Sequence, residues 1–355
     1  TEAYLKVILE IFTLKNKDDD IIGSTMHKNP SFRSAMWEVP ETSLSVAAES
    51  RHVTVYEPAV AKLAEEISSG NVGIPPWDSD HHYFDGTPAT VSYLTVLDTV
   101  NFCFWPPPGE RRWGILLDDS FLSGYVGMAY ALRRAMEKGV PLTSAEYLAG
   151  IKTSEFARII DGSGTLQLIE NRSAALRELG FLLLKEYEGE ARLMIEQASE
   201  SAVGLARNLA KKLVSFRDKA LYRGRPVWFL KRAQILAADL YGAFQGRAWG
   251  AFTDMDQITA FADYKVPQVL RQHGILRYAP SLASLVDGMM PIPAGSVMEV
   301  ELRAATIAAV ERLREILAQS GKSFLSPELD WMLWSMGQRD DFRKKPYHRT
   351  LTIFY

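Results

Sequence analysis

Two carboxylates in this sequence stand against large aromatic rings. Asp263 lies in FADYKVPQVL (261–270), two residues after Phe261 and directly before Tyr264. Asp330 lies in SPELDWMLW (326–334), beside Trp331 and four residues before Trp334, which shares its helical face. A carboxylate walled by rings loses water, binds its proton more tightly, and becomes useful as an acid, a base or an electrostatic stabiliser. Taken singly, either acid reads first as an exposed helix-end group beside core aromatics, because charged residues are almost never fully buried without a partner. The pattern they share is what points to a site.

Other candidates are fewer. Lys231 sits inside the nearly all-apolar run WFLKRAQILAADLYGAF, where it either snorkels or meets an anion in a cavity. Arg303 follows Glu299 by four residues, the spacing of a surface ion pair. The loop WDSDHHYFDG (77–86) offers Asp78, Asp80, His81, His82 and Asp85, but at no spacing of a defined metal site. It reads as a structural or solvated loop in which His81 is the residue chosen for a ligand contact, and no metal is expected. Phosphate-cradling GxxxxGK[ST], GxGxxG after a strand, HExxH and GxSxG are all missing.

The elements that must position these groups follow from local pattern. Thr253 and Asp256 form a helix start, and Pro267 predicts that this helix ends near 263–265. Asp263 would then occupy the last turn, where the dipole disfavours an anion. Ser326 as N-cap and Pro327 at the first position open a helix carrying Asp330. VSYLTVLDTVNFCFW, the turn PPPGERR and RWGILLDDSFLSGY predict a small antiparallel β element within 91–126. Beyond 126 the pattern is helical, with Thr143 and Glu146 as a capping box and long amphipathic runs such as SVMEVELRAATIAAVERLREILAQSGK. The tail YHRTLTIFY reads as a closing strand. The expectation is a mainly α protein: one helical domain over 46–355, preceded by an extension over 1–45 with the charge run KNKDDD.

Bulk properties narrow the partners. The 355 residues are 47% hydrophobic and 23% charged, with a net charge of −3. A nucleic-acid binder usually shows a basic balance, so a small ligand is the better reading. The single cysteine, Cys103, cannot make an internal disulfide and fits a reducing compartment, with the cytoplasm as the expected location. The longest early apolar run, YLKVILEIFTL, contains Lys6 and Glu10 and is too short to span a membrane. It also lacks the flanks of a secretory signal.

Six runs occur in an order that resembles the queuosine salvage proteins: LDTVNFCFW (97–105), SGYVGMAYALRRAMEKGVPLTSAEYLA (123–149), LKRAQILAADL (230–240), ITAFADYKVPQVL (258–270), EVELRAA (299–305) and LDWMLW (329–334). The resemblance covers about 46–355. It implies a helical fold akin to DNA glycosylases and hydrolysis of queuosine 5'-phosphate to release queuine. It implies no cofactor, a small-molecule nucleotide as partner, and no nucleic acid or membrane. Carried onto this sequence, it makes Asp263 and Asp330 the catalytic acids. Phe261, Tyr264, Trp334, Asn101, Lys231 and His81 become substrate contacts.

Breaking an N-glycosidic bond places positive charge on the sugar and negative charge on the departing base. A preorganised carboxylate stabilises the first and orients water, or attacks covalently. A 7-deazapurine lacks the ring nitrogen that purines protonate, so its departure must be helped by hydrogen bonds or stacking. The arm of queuine bears a secondary ammonium, which calls for a second acid, and Lys231 or a nearby arginine would hold the phosphate. This chemistry needs no metal, so activity should survive EDTA. Two other readings stay open: a glycosylase acting on a base in nucleic acid, and a non-catalytic helical interaction protein.

Overall fold

The computed structural model describes residues 37–355, apart from 71–72. The run KNKDDD and the rest of 1–36 lie outside the described residues. The first helix among the described residues, α1 (Glu38–Glu49), buries Val39, Ser43 and Val46. A short strand, β1 (Val53–Val55), leads into α2 (Glu57–Ser68), which has Pro58 as its second residue and buries Val60, Leu63, Ala64 and Ile67 at helical spacing. Then follow α3 (Pro88–Val100), the hairpin of β2 (Gly114–Leu117) and β3 (Ser120–Ser123), and α4 (Gly124–Glu137).

The chain continues through α5 (Ala145–Gly150), α6 (Thr153–Ile159), α7 (Ile169–Glu186), α8 (Ala191–Glu196) and α9 (Ala202–Lys212). A second hairpin, β4 (Lys219–Tyr222) with β5 (Arg225–Trp228), precedes α10 (Lys231–Ala243). The last part holds α11 (Lys265–Gln272), β6 (Leu276–Tyr278), α12 (Pro280–Asp287), α13 (Val297–Gln319) and α14 (Ser326–Met336). The architecture is mainly helical, and among the described residues the strands form three separate antiparallel pairs, the third joining β1 to β6.

Two apolar cores meet around the future site. One gathers α3, α4, α7, α9 and α10; the other gathers α2, α11, α13 and α14. The long α13 packs on α1, α2, α11 and α14, while α10 packs on α3 and α9. Among the described residues no helix is long and apolar enough to cross a membrane.

Several local expectations are corrected. VSYLTVLDTV is helix, not strand: Thr87 caps it, Pro88 opens it, and residues 90–100 are all buried. A helix buried on every side shows no period, so its β-branched residues mimic a strand. The hairpin expected within 91–126 is therefore only the 114–123 portion. No capping box forms near 145: Ser144, one residue later than expected, is the N-cap, its Oγ accepting the Tyr147 amide and donating to Glu146. The tail 347–355 forms no strand; it runs irregularly, bridged once between Pro291 and Arg349.

Arg303 and Glu299 are not a surface pair either. Both side chains are buried, 3.7 Å apart, and Arg303 forks onto Asp218 with nitrogen–oxygen distances of 2.8 and 2.7 Å.

Candidate active site

The segment 258–264 is not the end of a helix. Only a single 3-10 turn, Met255–Gln257, precedes it, and α11 begins at Lys265 after Asp263. Pro267 is the third residue of α11, a position whose amide has no helical acceptor, so the proline accompanies a start instead of forcing a stop. Asp263 Oδ1 accepts the amides of Lys265 and Val266 at 2.7 and 2.9 Å. The acid thus faces the positive end of the helix dipole, the reverse of the expected polarity. Oδ2 has no hydrogen-bond partner among the described residues and is left for the cavity that Asp263 lines.

Asp330 is in the second turn of α14, whose N-cap is Leu325; Ser326 is its first residue and donates to Glu311. Asp330 Oδ1 accepts the amide of Phe261 at 2.8 Å, which fastens α14 to the loop that carries Asp263. The two acids, 67 positions apart in sequence (330 − 263), line one cavity of about 260 Å³.

Their environments differ. Burial raises the pKa of Asp263, but Lys231 and the two α11 amides oppose the rise. Burial and the negative charge of Asp263 push Asp330 well above the ordinary carboxylate range, with weaker opposition from the Phe261 amide and Lys231. The pair therefore holds its first proton on Asp330, leaving Asp263 as the more acidic member.

Lys231 does not snorkel. It opens α10 behind Leu230, which is in the left-handed region at φ 48°, and its own amide donates to Asp218 at 3.0 Å. Its side chain is buried and Nζ lies 3.5 Å from the carbonyl of Asn101. Burial lowers its proton affinity, and Asp263 and Asp98 oppose the fall only in part. Asn101, at the C-terminus of α3, donates to Asp98 at 3.2 Å and also lines the cavity. Phe261, Tyr264 and Trp334 complete the expected lining.

His81 is the exception. Its Nδ1 pairs with Asp78 at 2.8 Å, and it does not line the cavity; its neighbour His82 does. Consecutive residues in a loop point to different sides, and nothing in the sequence ranks one histidine over the other.

Other lining groups escaped the sequence reading. Ile235 and Asp239 extend the face of Lys231 along α10 at i+4 and i+8, a stripe that was available in the sequence. Trp77 and Trp331 flank Gly242, where an added Cβ would come within 3.0 and 3.3 Å of their rings. At another wall, Ser123, Gly124, Tyr125 and Val126 bring the N-terminus of α4 to the cavity, with Arg112 beside it. Gly124 has φ +69°, a left-handed conformation that favours glycine, and a Cβ there would push aside the tip of Arg112, meeting Nη2 at 2.9 Å. Among the described residues no group of three or more His, Cys, Asp or Glu side chains is arranged to hold a metal ion.

A buried pair of acids with separated proton affinities, walled by rings, is an arrangement chemically capable of acid–base or electrostatic catalysis. The chain belongs to the queuosine salvage protein family, whose model matches residues 81–355. It is 47% identical over 314 residues to the queuosine 5'-phosphate N-glycosylase/hydrolase of Sphaerobacter thermophilus, covering 88% of this chain and 96% of that one. Proteins of the same name from Dictyostelium discoideum and Bos taurus are 36% and 33% identical, each covering 89% of this chain and 98% of its own.

Proposed function

We propose that this chain hydrolyses the N-glycosidic bond of queuosine 5'-phosphate and releases queuine. The observation that carries this reading is the meeting of Asp263 and Asp330 in one ring-lined cavity under environments that give them different proton affinities. The names of the relatives supply the substrate.

Asp263 acts as the carboxylate. It faces the anomeric carbon, stabilises the developing oxocarbenium ion and orients the attacking water. The two α11 amides hold it in place, so it needs no reorganisation when charge appears. Asp330 acts in its protonated form as a hydrogen-bond donor to the departing 7-deazapurine, which has no ring nitrogen at the usual position. Phe261, Tyr264, Trp331 and Trp334 supply stacking surface, worth about 1–3 kcal/mol per base in single-strand binders.

The phosphate belongs at Arg112, not at Lys231. Lys231 lies in the field of Asp263, Asp98 and Asp330, and a phosphate there would face those acids. Arg112 lies against the first residues of α4, whose amides point at the same wall. Lys231 then serves as counter-ion to the acids. The buried Cys103 suits a reducing compartment, and the cytoplasm is the proposed location.

The test is incubation with queuosine 5'-phosphate and, separately, queuosine, with chromatography for free queuine. Release from the 5'-phosphate supports the reading, and a faster rate than from the nucleoside supports the placement at Arg112. No queuine from either substrate overturns it.

A further inference from the structure

Three side chains from three elements form a hydrogen-bonded row along the cavity: His82 from the loop before α3, Tyr125 from the first turn of α4, and Asp239 from α10. His82 Nδ1 is 2.7 Å from the carbonyl oxygen of Asp78, which can only accept, so Nδ1 carries a hydrogen. His82 Nε2 is 2.8 Å from Tyr125 Oη, and Tyr125 Oη is 2.6 Å from Asp239 Oδ2. Both contacts are hydrogen-bond length, so each requires a proton between its atoms.

The tyrosine hydroxyl brings one proton. The other comes either from His82 Nε2, giving an imidazolium and a carboxylate, or from Asp239 Oδ2, giving a neutral imidazole and a carboxylic acid. The row carries no net charge in either arrangement. They differ only in which end of the cavity wall is polarised.

We propose that His82, Tyr125 and Asp239 share one mobile proton, and that a cationic ligand group beside Asp239 drives it to His82. In that step the Asp239 O–H bond breaks and its proton passes to Tyr125 Oη. The Tyr125 hydroxyl proton passes in turn to His82 Nε2, where an N–H bond forms. No electron is gained or lost, and Asp239 is left as a carboxylate facing the cation.

The surroundings favour the neutral arrangement in the empty cavity. Burial pushes Asp239 up to about 6, and burial pulls His82 down to about 4, so the acid is the better proton holder. The titratable groups near Asp239 are Lys231 on α10 and Asp98 on α3, whose carboxyl is held well above the ordinary range by burial and by Asp239. Those near His82 are Asp78, His81 and Arg133. Burial also holds the Tyr125 hydroxyl far above the phenol range, so tyrosine relays a proton without giving one up. The functional consequence is selectivity. With Asp239 protonated, the row admits a flat base without the cost of an unpaired buried carboxylate, and its Asp239 end becomes anionic only for a ligand bearing an ammonium.

The cationic trigger rests on the reading that the ligand carries the secondary ammonium of queuine. Nitrogen-15 imidazole spectra of the full chain at pH 5, between the values of about 4 for His82 and about 6 for Asp239, with His82 assigned by its loss in His82→Gln, separate the two ideas. The probes are queuine and 7-cyano-7-deazaguanine, which lacks the amine, with binding followed by calorimetry on the same samples. His82 is expected to be neutral with its proton on Nδ1 in the free protein and with the cyano compound, and doubly protonated with queuine.

In Asp239→Asn, whose amide donates to Tyr125 as the neutral acid does, His82 is expected to stay neutral in every sample. The KM for queuosine 5'-phosphate should rise at least tenfold with a smaller change in kcat. A merely structural Asp239 would lower stability and leave the His82 signature intact. Queuine bound with His82 still neutral, or an imidazolium in the free protein, overturns the shared proton. Failure of queuine to bind the unmutated protein overturns the substrate reading, and the cationic trigger with it.

Discussion

The guanidinium of Arg303 grips the carboxylate of Asp218 through two hydrogen bonds of 2.8 and 2.7 Å, and both side chains are buried. Each partner also holds part of the site. Arg303 Nε donates to the carbonyl of Ala262 at 2.9 Å, next to Asp263, and Asp218 Oδ2 accepts the amide of Lys231 at 3.0 Å. One buried ion pair thus fastens the acid and its counter-ion to α13. Removing one partner leaves the other charge uncompensated, so Arg303→Met or Asp218→Leu alone should lose about 3–5 kcal/mol of stability. Urea unfolding checks this, with the expectation that the Arg303→Met, Asp218→Leu double variant recovers part of the loss. A double variant that loses the sum of the single effects would show that the two side chains act separately.

Lys231 should set the acid limb of the reaction. Its charge opposes the burial that raises Asp263, so removing it raises the Asp263 pKa further. Since the working form is the carboxylate, Lys231→Met is expected to move the acid limb of the kcat profile to higher pH. A limb that stays in place would detach Lys231 from Asp263.

His348 offers a stability test away from the acids. It is buried against Tyr355, and burial with the nearby charge of Arg303 lowers its pKa from 6.5 to about 3. Between those values the unfolded chain binds a proton that the native chain does not. Its contribution is therefore complete above pH 6.5 and is lost as pH falls toward 3, by roughly 1.4 kcal/mol per pH unit. Chemical denaturation at pH 7, 6 and 5 should show a shallower decline in His348→Gln than in the unmutated protein.

The helical class was legible in the sequence because most helices expose one face, as α2 does with Val60, Leu63, Ala64 and Ile67 turned inward. Local pattern failed at α3, where burial on every side erased the period. It failed again at Asp263, because Pro267 serves equally as a stop before a helix end and as a first-turn residue, and only tertiary context separates the two. Seven of the eight expected site residues, Asp263, Asp330, Asn101, Lys231, Phe261, Tyr264 and Trp334, line the cavity; His81 does not. Asp239, Tyr125 and Arg112 were missed. Tyr125 and Arg112 arrive through chain approaches between distant segments, which no local pattern records.

Asp330 gives a graded comparison with Asp263. Because burial and Asp263 keep Asp330 protonated, Asp330→Asn preserves a donor on one atom and an acceptor for the Phe261 amide on the other. Its kcat should fall less than that of Asp263→Asn under the same assay. Equal losses would mean that Asp330 works as an ion.

The central claim is that the Asp263 carboxylate stabilises the transition state. Single-turnover queuine release by Asp263→Asn, on protein shown by circular dichroism to retain its helical content, tests it directly. The account predicts a loss of about 10²–10³-fold or more, the scale of removing one preorganised electrostatic group. A folded Asp263→Asn protein releasing queuine at the unmutated rate would contradict it.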